Sequence, residues 1–393
     1  MTLCLNMIVK NESHIIEQTL GNICQNFKLD YWVISDTGST DHTIEIIQNF
    51  FKNKGIQGEI IQEDWQNFSY NRNVALKACT GKSDYILIFD ADDSVEGEFI
   101  LPKLDLDAYY FQLSNAERTI KYLRKLIIKN DGKYFWRGVL HEYLEHDGEQ
   151  DVGEIRGDYV VISGRKGSRS LDADKYLKDA KILEDAYLHG KEQDLLPRYA
   201  FYCAQSYRDA GLADKAIEWY KKRVELKDGW LDEIYCSYEQ LGLLYERQEN
   251  YKEALYYWQM GIIHDPSRAE CWYHSARRHS WNHHIQLAYC FAKQASELKL
   301  PEGNRLFLQK NIYQFWSLYE WCQNAYKLGK IEESYQVFKQ LIQHCPEDLV
   351  NRLAHQLKDY KSLIMEDSFY EGQLLGLNLQ KFGKRHLLES LLK

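Results

Sequence analysis

Over the first 165 or so positions, short apolar runs alternate with amphipathic stretches. Leu3–Val9 is rich in Leu, Ile and Val and is closed by polar Lys10-Asn11-Glu12, which predicts a buried strand. Ile15, Ile16, Leu20, Ile23 and Phe27 then recur at helical spacing. Tyr31–Ser35 predicts a second strand, broken by Asp36-Thr37-Gly38-Ser39-Thr40-Asp41, and Ile44, Ile47 and Phe51 mark one face of a second helix. Glu59–Ile61 and Tyr85–Phe89 predict further strands, with a helix around Asn73–Cys79 between them. Strands alternating with helices of this length predict a mainly parallel sheet covered on both faces. Ligands of such sheets sit beyond the carboxyl ends of the strands, so the polar residues that close each strand are where chemistry is expected.

From Asp172 onward the strand signal stops and helix follows helix. Tyr238-Glu239-Gln240-Leu241-Gly242-Leu243-Leu244-Tyr245 fits the tetratricopeptide pattern with tyrosine in place of tryptophan, and Ala254, Trp258 and Pro266 continue it. Trp272 follows Tyr238, and Ala288 follows Ala254, by 34 residues each. Tyr207, Ala216 and Tyr220 form an upstream copy, and Tyr326, Ser334, Phe338 and Pro346 a downstream one. The small residues let two helices approach and the aromatics fill the grooves between helix pairs, which accounts for many of the 29 tyrosines.

Composition narrows the class. With 45% apolar and 27% charged residues, 23 glycines and 5 prolines, the chain is globular rather than low-complexity. No apolar run approaches the roughly 20 residues that span a bilayer, and no basic stretch precedes the first one, so neither a transmembrane segment nor a secretory leader is expected. A formal charge of −9 gives no overall attraction for nucleic acid. Nine cysteines without a Cys-x-x-Cys pair predict buried free thiols in a reducing, cytoplasmic setting. His274, His279, His283 and His284 match no zinc spacing and are expected on an exposed polar face.

The sharpest local feature is Phe89-Asp90-Ala91-Asp92-Asp93, directly after the fourth apolar run. Three carboxylates at a strand end repel one another unless a cation compensates them, and Mg²⁺ or Mn²⁺ favours such oxygen ligands together with phosphate. Asp36 also closes a strand, and Gly38 permits a tight turn after it. Arg72, flanked by Asn71 and Asn73, can meet a phosphate or a base edge. Two other signals fail. Gly81-Lys82-Ser83 has Leu76 where a phosphate loop needs glycine, and no glycine-rich dinucleotide fingerprint follows the first strand.

In order and spacing, Asn6-Met7-Ile8-Val9-Lys10-Asn11-Glu12, Asp36 to Thr43, Asn71-Arg72-Asn73 and Asp90-Ala91-Asp92-Asp93 resemble the inverting family 2 glycosyltransferases with the GT-A fold. Trp136-Arg137-Gly138-Val139-Leu140-His141-Glu142-Tyr143 resembles a segment of a bacterial-type subgroup that carries tetratricopeptide repeats behind the transferase domain. The resemblance implies a GT-A domain over 1–170, a helical linker over 171–195, repeats over 196–365 and a helical tail over 366–393. It also implies a UDP-sugar donor, with Asp36 at the uracil or ribose, Arg72 nearby, and Asp90 with Ala91 at the ribose. Val9, Asn11 and Glu12 would line that donor site, and Asp92 with His141 would hold Mn²⁺ or Mg²⁺. Thr37 stands where many members carry a second acid. Glu142 and Asp93 are both candidates for the base that takes the acceptor proton, and Lys166 and Arg169 for closing over the diphosphate.

These readings favour a metal-dependent inverting transferase that passes a hexosyl or N-acetylhexosaminyl group to a hydroxyl of a glycan or protein. The repeats would orient acceptor or partner, support the sheet or form a homodimer. A sugar-phosphate nucleotidyltransferase lacks its glycine-rich basic loop here, and an inert repeat scaffold is disfavoured by the intact Asp90, Asp92, Arg72 and His141.

Overall fold

The computed structural model describes every residue except 117, 119, 120, 165, 166, 304, 368 and 393. The chain divides into two compact units, Met1–Ala216 and Ile217–Lys393. In the first, β1 (Leu3–Val9), α1 (Ile16–Asn26), β2 (Tyr31–Asp36), α2 (Thr43–Lys54), β3 (Gly58–Gln62), α3 (Phe68–Ala78) and β4 (Tyr85–Ile88) follow in the order that the periodicity predicts. β1 pairs in parallel with β2 and β4, and β2 with β3. Side chains alternate across the pleat. Leu5, Met7 and Val9 therefore pack in one core with Ile16, Leu20, Ile47 and Phe51, while Cys4, Val33, Ile86 and Ile88 face Leu76, Cys79 and Trp136 in another. A strand buried on both faces reads as an unbroken apolar run, which is why β1, β2 and β4 are legible, while the half-buried edge strand β3 is marked only by its paired isoleucines.

The next seven strands are not predicted by that signal: β5 (Ser94–Phe99), β6 (Ala108–Asn115), β7 (Lys121–Lys129), β8 (Tyr134–Arg137), β9 (Tyr143–His146), β10 (Val152–Glu154) and β11 (Gly157–Ser163). Sequences such as Ser-Val-Glu-Gly-Glu-Phe bury few residues, so no apolar run marks them. The large sheet has the order β3-β2-β1-β4-β7-β6-β11-β5, with β10 also on β6, and β8 and β9 form a separate hairpin. β7 enters antiparallel between β4 and β6. The chain winds outward from β1 through β2 to β3, then returns to β4 on the other side, so the reversal of strand order falls between β1 and β4. This unit continues past residue 170 through α4 (Lys175–His189) and α5 (Leu196–Asp209), and α6 (Ala213–Glu225) crosses the division.

The second unit is helical: α7 (Leu231–Arg247), α8 (Tyr251–His264), α9 (Ala269–Trp281), α10 (Ile285–Glu297), a π-helical turn Ile312–Trp316, α11 (Ser317–Lys327), α12 (Ile331–Leu341), and shorter helices beyond. The repeat positions behave as the pattern requires. Ala254, Trp258, Ala288, Ser334 and Phe338 are fully buried. A Cβ on Gly242 would lie 2.2 Å from the Trp258 ring, so only glycine admits that indole between α7 and α8. Two expectations are corrected. His274 and His279 are buried, His274 bonding Glu239 at 3.2 Å, while His283 and His284 are exposed. Cys290 is exposed and Cys24 half-buried, whereas the other seven cysteines are buried; all nine are free. Among the described residues no helix is long and apolar enough to cross a membrane.

Glu320 on α11 is 3% exposed, and burial pushes its carboxyl up to about 7 against the hydrogen bond from Gln323. Between the ordinary glutamate range and pH 7 the unfolded chain has lost this proton while the folded chain keeps it, so stability falls as pH rises through that interval. Glu320→Gln is expected to gain on the wild type from pH 4 to 7 by about 2–3 kcal/mol in urea titrations, since each pKa unit is worth about 1.4 kcal/mol. Parallel curves for the two proteins would remove the assignment.

Candidate active site

Val9 ends β1 and pairs with Asp36 at the end of β2. Asp36 is 2% exposed, and its Oδ2 accepts the N–H groups of Gly38 at 3.1 Å and Ser39 at 3.0 Å. Its Oδ1 is buried and has no hydrogen-bond partner among the described residues. An unsatisfied buried carboxylate oxygen costs at least about 1–3 kcal/mol, so this atom calls for a donor that the described residues do not supply. The turn is fixed by Asn11, whose N–H donates to Ser39 Oγ at 2.9 Å and whose Oδ1 accepts the Thr40 N–H at 2.7 Å. Asn11 adopts a left-handed φ of 57°, which asparagine tolerates better than most residues. Thr37 donates its hydroxyl to the Val9 carbonyl at 3.1 Å and thus braces the strand ends.

Beyond β4 the carboxylates are divided between two uses. Arg72 donates from Nη2 to Asp90 Oδ1 and from Nε to Glu142 Oε1, both at 2.7 Å. Arg124 donates from Nη1 to Asp90 Oδ2 and from Nη2 to Asp93 Oδ2, both at 2.9 Å. The result is a chain of alternating charge, Glu142–Arg72–Asp90–Arg124–Asp93. Burial would raise Asp90, but Arg72 and Arg124 outweigh it and hold the carboxyl well below the usual range. Burial dominates at Asp93, which is 2% exposed and is pushed up to about 7 despite Arg124. Both Asp93 oxygens are engaged, since Oδ1 accepts the Gly164 N–H at 3.0 Å, whereas Glu142 holds Arg72 through one oxygen.

The Asn-Arg-Asn motif has a structural reading as well. Asn71 is buried and spans the Asp64 carbonyl and the Gln66 N–H. Asn73 clamps both backbone groups of Trp136, at 2.8 and 2.7 Å. That clamp sets the Trp136 ring 4.8 Å from the Arg72 guanidinium and brings β8, with Glu142 beyond it, onto α3.

Asp92 and Glu12 form the second set. Asp92 Oδ2 accepts the Gly167 N–H at 3.2 Å, and Glu12 Oε1 accepts the Ser168 N–H at 3.2 Å. A Cβ on Gly167 would lie 3.2 Å from Asp92 Oδ2 and 3.3 Å from Glu12 Oε1, so the two carboxylates converge on one glycine. Burial, and then the Asp92 charge, push Glu12 up against the Ser168 N–H. Among the described residues neither is ion-paired, and such a pair of hard oxygen donors suits Mg²⁺ or Mn²⁺. No group of three or more His, Cys, Asp or Glu residues able to hold a metal is found among the described residues.

His141 stands apart from that pair in its contacts. Its ring stacks on Tyr202 at 3.9 Å, and its carbonyl accepts two bonds from Arg198. Packing around the ring, then the charges of Arg198, Arg169 and Lys175, lower its pKa to about 3, so the imidazole is neutral at pH 7 even though the residue keeps an exposed surface. Arg169 pairs with Asp179 on α4 and lies 4.6 Å from the Phe68 ring; Lys166 lies outside the described residues. Ala91 is buried, and its carbonyl accepts the Thr19 hydroxyl at 2.7 Å. Arg124, which links Asp90 to Asp93, is missed by the sequence reading because β7 mixes Lys, Tyr and Arg with apolar residues.

The loop after β11 is fitted closely to this site. A Cβ on Gly164 would fall 1.8 Å from the Asp92 carbonyl oxygen. Gly164→Ala is expected to destabilise the chain by about 1–3 kcal/mol, the usual cost of overpacking, and to lower affinity for whatever Asp92 holds. Gly21→Ala, where nothing lies within 4 Å, is the control and should be neutral or slightly stabilising. Equal midpoints in urea for the two variants would show that the loop does not press on Asp92.

Residues 4–106 match the family described as Glycosyl transferase family 2. The N-terminal unit carries a family 2 glycosyl transferase domain. Glycosyl transfer is thereby the activity class of this domain, and the strand-end carboxylates described above close its β1, β2 and β4. Comparison with the curated proteins found no match. Among solved structures, S. aureus TarS 1-349 in complex with UDP-GlcNAc is 14% identical with a TM-score of 0.37, over 65% of this chain and 89% of that one. MamA from Desulfovibrio magneticus RS-1 is 12% identical with a TM-score of 0.34, over 44% of this chain and 88% of that one. TM-scores of this size carry no argument about this chain.

Proposed function

We propose that this glycosyltransferase takes its sugar from a UDP-sugar and passes it, with inversion and with the help of a divalent cation, to a hydroxyl of a glycan or protein. The observation that carries this reading is the buried Asp36 Oδ1, unpartnered among the described residues, at the same sheet edge as the converging Asp92 and Glu12. Asp36 can only accept hydrogen bonds, which suits the N–H of uracil or a ribose hydroxyl. Asp92 and Glu12 are the residues that would hold Mn²⁺ or Mg²⁺. When bound, such an ion neutralises the charge that builds on the departing diphosphate. Arg72 and Arg124 hold Asp90 rigid between β4 and β7, which fixes the floor of the site before donor arrives. Glu142, ion-paired through one oxygen, takes the acceptor proton as the new bond forms. Attack by the acceptor on the face opposite the diphosphate inverts the anomeric carbon in one displacement.

A thermal-shift screen of nucleotide sugars with and without Mn²⁺ tests this reading. A ligand that binds only the folded state raises the midpoint in proportion to its saturation. A UDP-sugar should stabilise the chain more strongly with the cation present than without it. Equal shifts without cation, or preference for another nucleotide, would remove the corresponding part of the proposal.

A further inference from the structure

In the second unit a short segment of the chain is held across two helices by its backbone and two polar side chains. α8 joins α9 through residues 265–268, whereas α10 reaches the π-helical turn only through residues 298–311, a connection more than three times as long. Connections of that length without secondary structure are uncommon unless they have a task. Residues 305–309 of this excursion lie against one face of α7 and the start of α9, and they are gripped there largely by their backbone. The Leu306 N–H donates to Asp232 Oδ2 at 2.7 Å, the Leu306 carbonyl accepts from Arg268 at 3.0 Å, and the Gln309 N–H donates to Glu270 Oε1 at 3.1 Å. Side chains supply selectivity at the two ends: Arg305 pairs with Asp232 and Asp265, and the Gln309 amide donates to Glu239.

The receiving groups lie on regular helical positions of α7 and around the start of α9. Asp232 and Glu239 stand two helical turns apart on α7, on one face, and Arg268 and Glu270 flank the first turn of α9. Arg268 and Glu270 are fully buried, and Glu239 is 1% exposed. Without the segment, Asp232, Glu239, Asp265 and Glu270 keep Arg268, His274 and the Tyr235 and Tyr313 hydroxyls as partners among the described residues, which leaves more carboxylates than cations. Such a surface selects a segment that brings a cation at one end and free N–H groups beside it.

The segment is a strained and lightly buried occupant. Phe307, between the two anchors, has a φ of 51°, a left-handed conformation that a bulky side chain adopts only under constraint. It remains 45% exposed, and its neighbours Leu306 and Leu308 are only half-buried. Charge and backbone hydrogen bonds anchor the two ends of the segment, and its three apolar residues are exposed or half-buried rather than part of a core.

We infer that the α7–α9 face is a binding site for a peptide turn carrying arginine followed four residues later by glutamine, and that residues 305–309 are its built-in competitor. A partner protein presenting that pattern displaces the internal segment. This inference is independent of the donor chemistry of the first unit, so either can fail without the other.

The test uses the full chain and a labelled synthetic peptide of residues 303–311. In Arg305→Ala/Gln309→Ala, folding being verified by circular dichroism, the internal competitor is weakened and the peptide should bind at least about tenfold more tightly than to the wild type. The same peptide with glutamate for its arginine should bind neither protein. A folded double variant that binds no peptide, or binds both peptides alike, overturns the proposal. Hydrogen exchange on the wild type covers the case in which the variant does not fold. The Leu306 and Gln309 amides should exchange about a hundredfold faster than the central amides of α7 and α9. Equal protection would make the segment a permanent part of the fold and would likewise overturn the proposal.

Discussion

Glu142→Gln is expected to lower turnover by about 10²- to 10⁴-fold while donor affinity stays within about twofold, the signature of a lost general base. The amide keeps an oxygen able to accept the Arg72 Nε–H that Glu142 now accepts at 2.7 Å, so the Arg72–Asp90 arrangement survives the change. What disappears is the capacity to take a proton. Steady-state kinetics with UDP release as the readout, paired with UDP titration, separates the two effects. Turnover within about threefold of the wild type would move the base elsewhere. Asp93 is poorly placed to inherit the role, because Arg124 and the Gly164 N–H occupy both of its oxygens and the side chain is buried.

Arg72→Met is expected to cost about 3–5 kcal/mol of stability, the range for removing one partner of a buried ion pair. Arg72 is 8% exposed and serves two carboxylates at once. Methionine approximates the aliphatic stem, so the loss reports the guanidinium's charge, its hydrogen bonds and its contact with Trp136. Asp90 would keep Arg124, but Glu142 would lose its only ion pair among the described residues. Adding Glu142→Gln should then restore part of the loss, with a coupling energy above about 0.5 kcal/mol in a double-mutant cycle. Chemical denaturation measures both quantities. A single-variant loss below about 1 kcal/mol would mean that the charged chain is solvated rather than structural.

How much of this was legible in the residues depends on the distance over which each signal acts. β1, β2 and β4 are buried on both faces, so their apolar runs stand out, and the polar residues that end them mark the sheet edge. That position singles out Asp36, Glu12 and Asp92 as candidates. The alternating chain beyond β4 was not, because its links join residues 18, 34, 31 and 70 positions apart. Arg124 shows why: it lies on a half-exposed strand whose mixture of lysines, tyrosine and leucines satisfies neither the helical nor the buried-strand pattern. The repeats were legible from their 34-residue period, since each small and aromatic position answers to its immediate neighbour. The segment 305–309 breaks that period, and nothing in its own residues announces the carboxylates more than 30 positions away that hold it.

The claim that the edge of β1, β2 and β4 is the donor site stands or falls on calorimetry of UDP with the wild-type chain, Asp36→Asn and Asp92→Asn, each with and without Mn²⁺. The wild type should bind UDP, and Mn²⁺ should strengthen that binding at least about tenfold, equivalent to about 1.4 kcal/mol. Asp92→Asn should lose the Mn²⁺ enhancement while keeping the weaker cation-free binding, and Asp36→Asn should weaken binding in both conditions. UDP affinity unchanged in both variants, with the Mn²⁺ response intact, would contradict the assignment of these carboxylates.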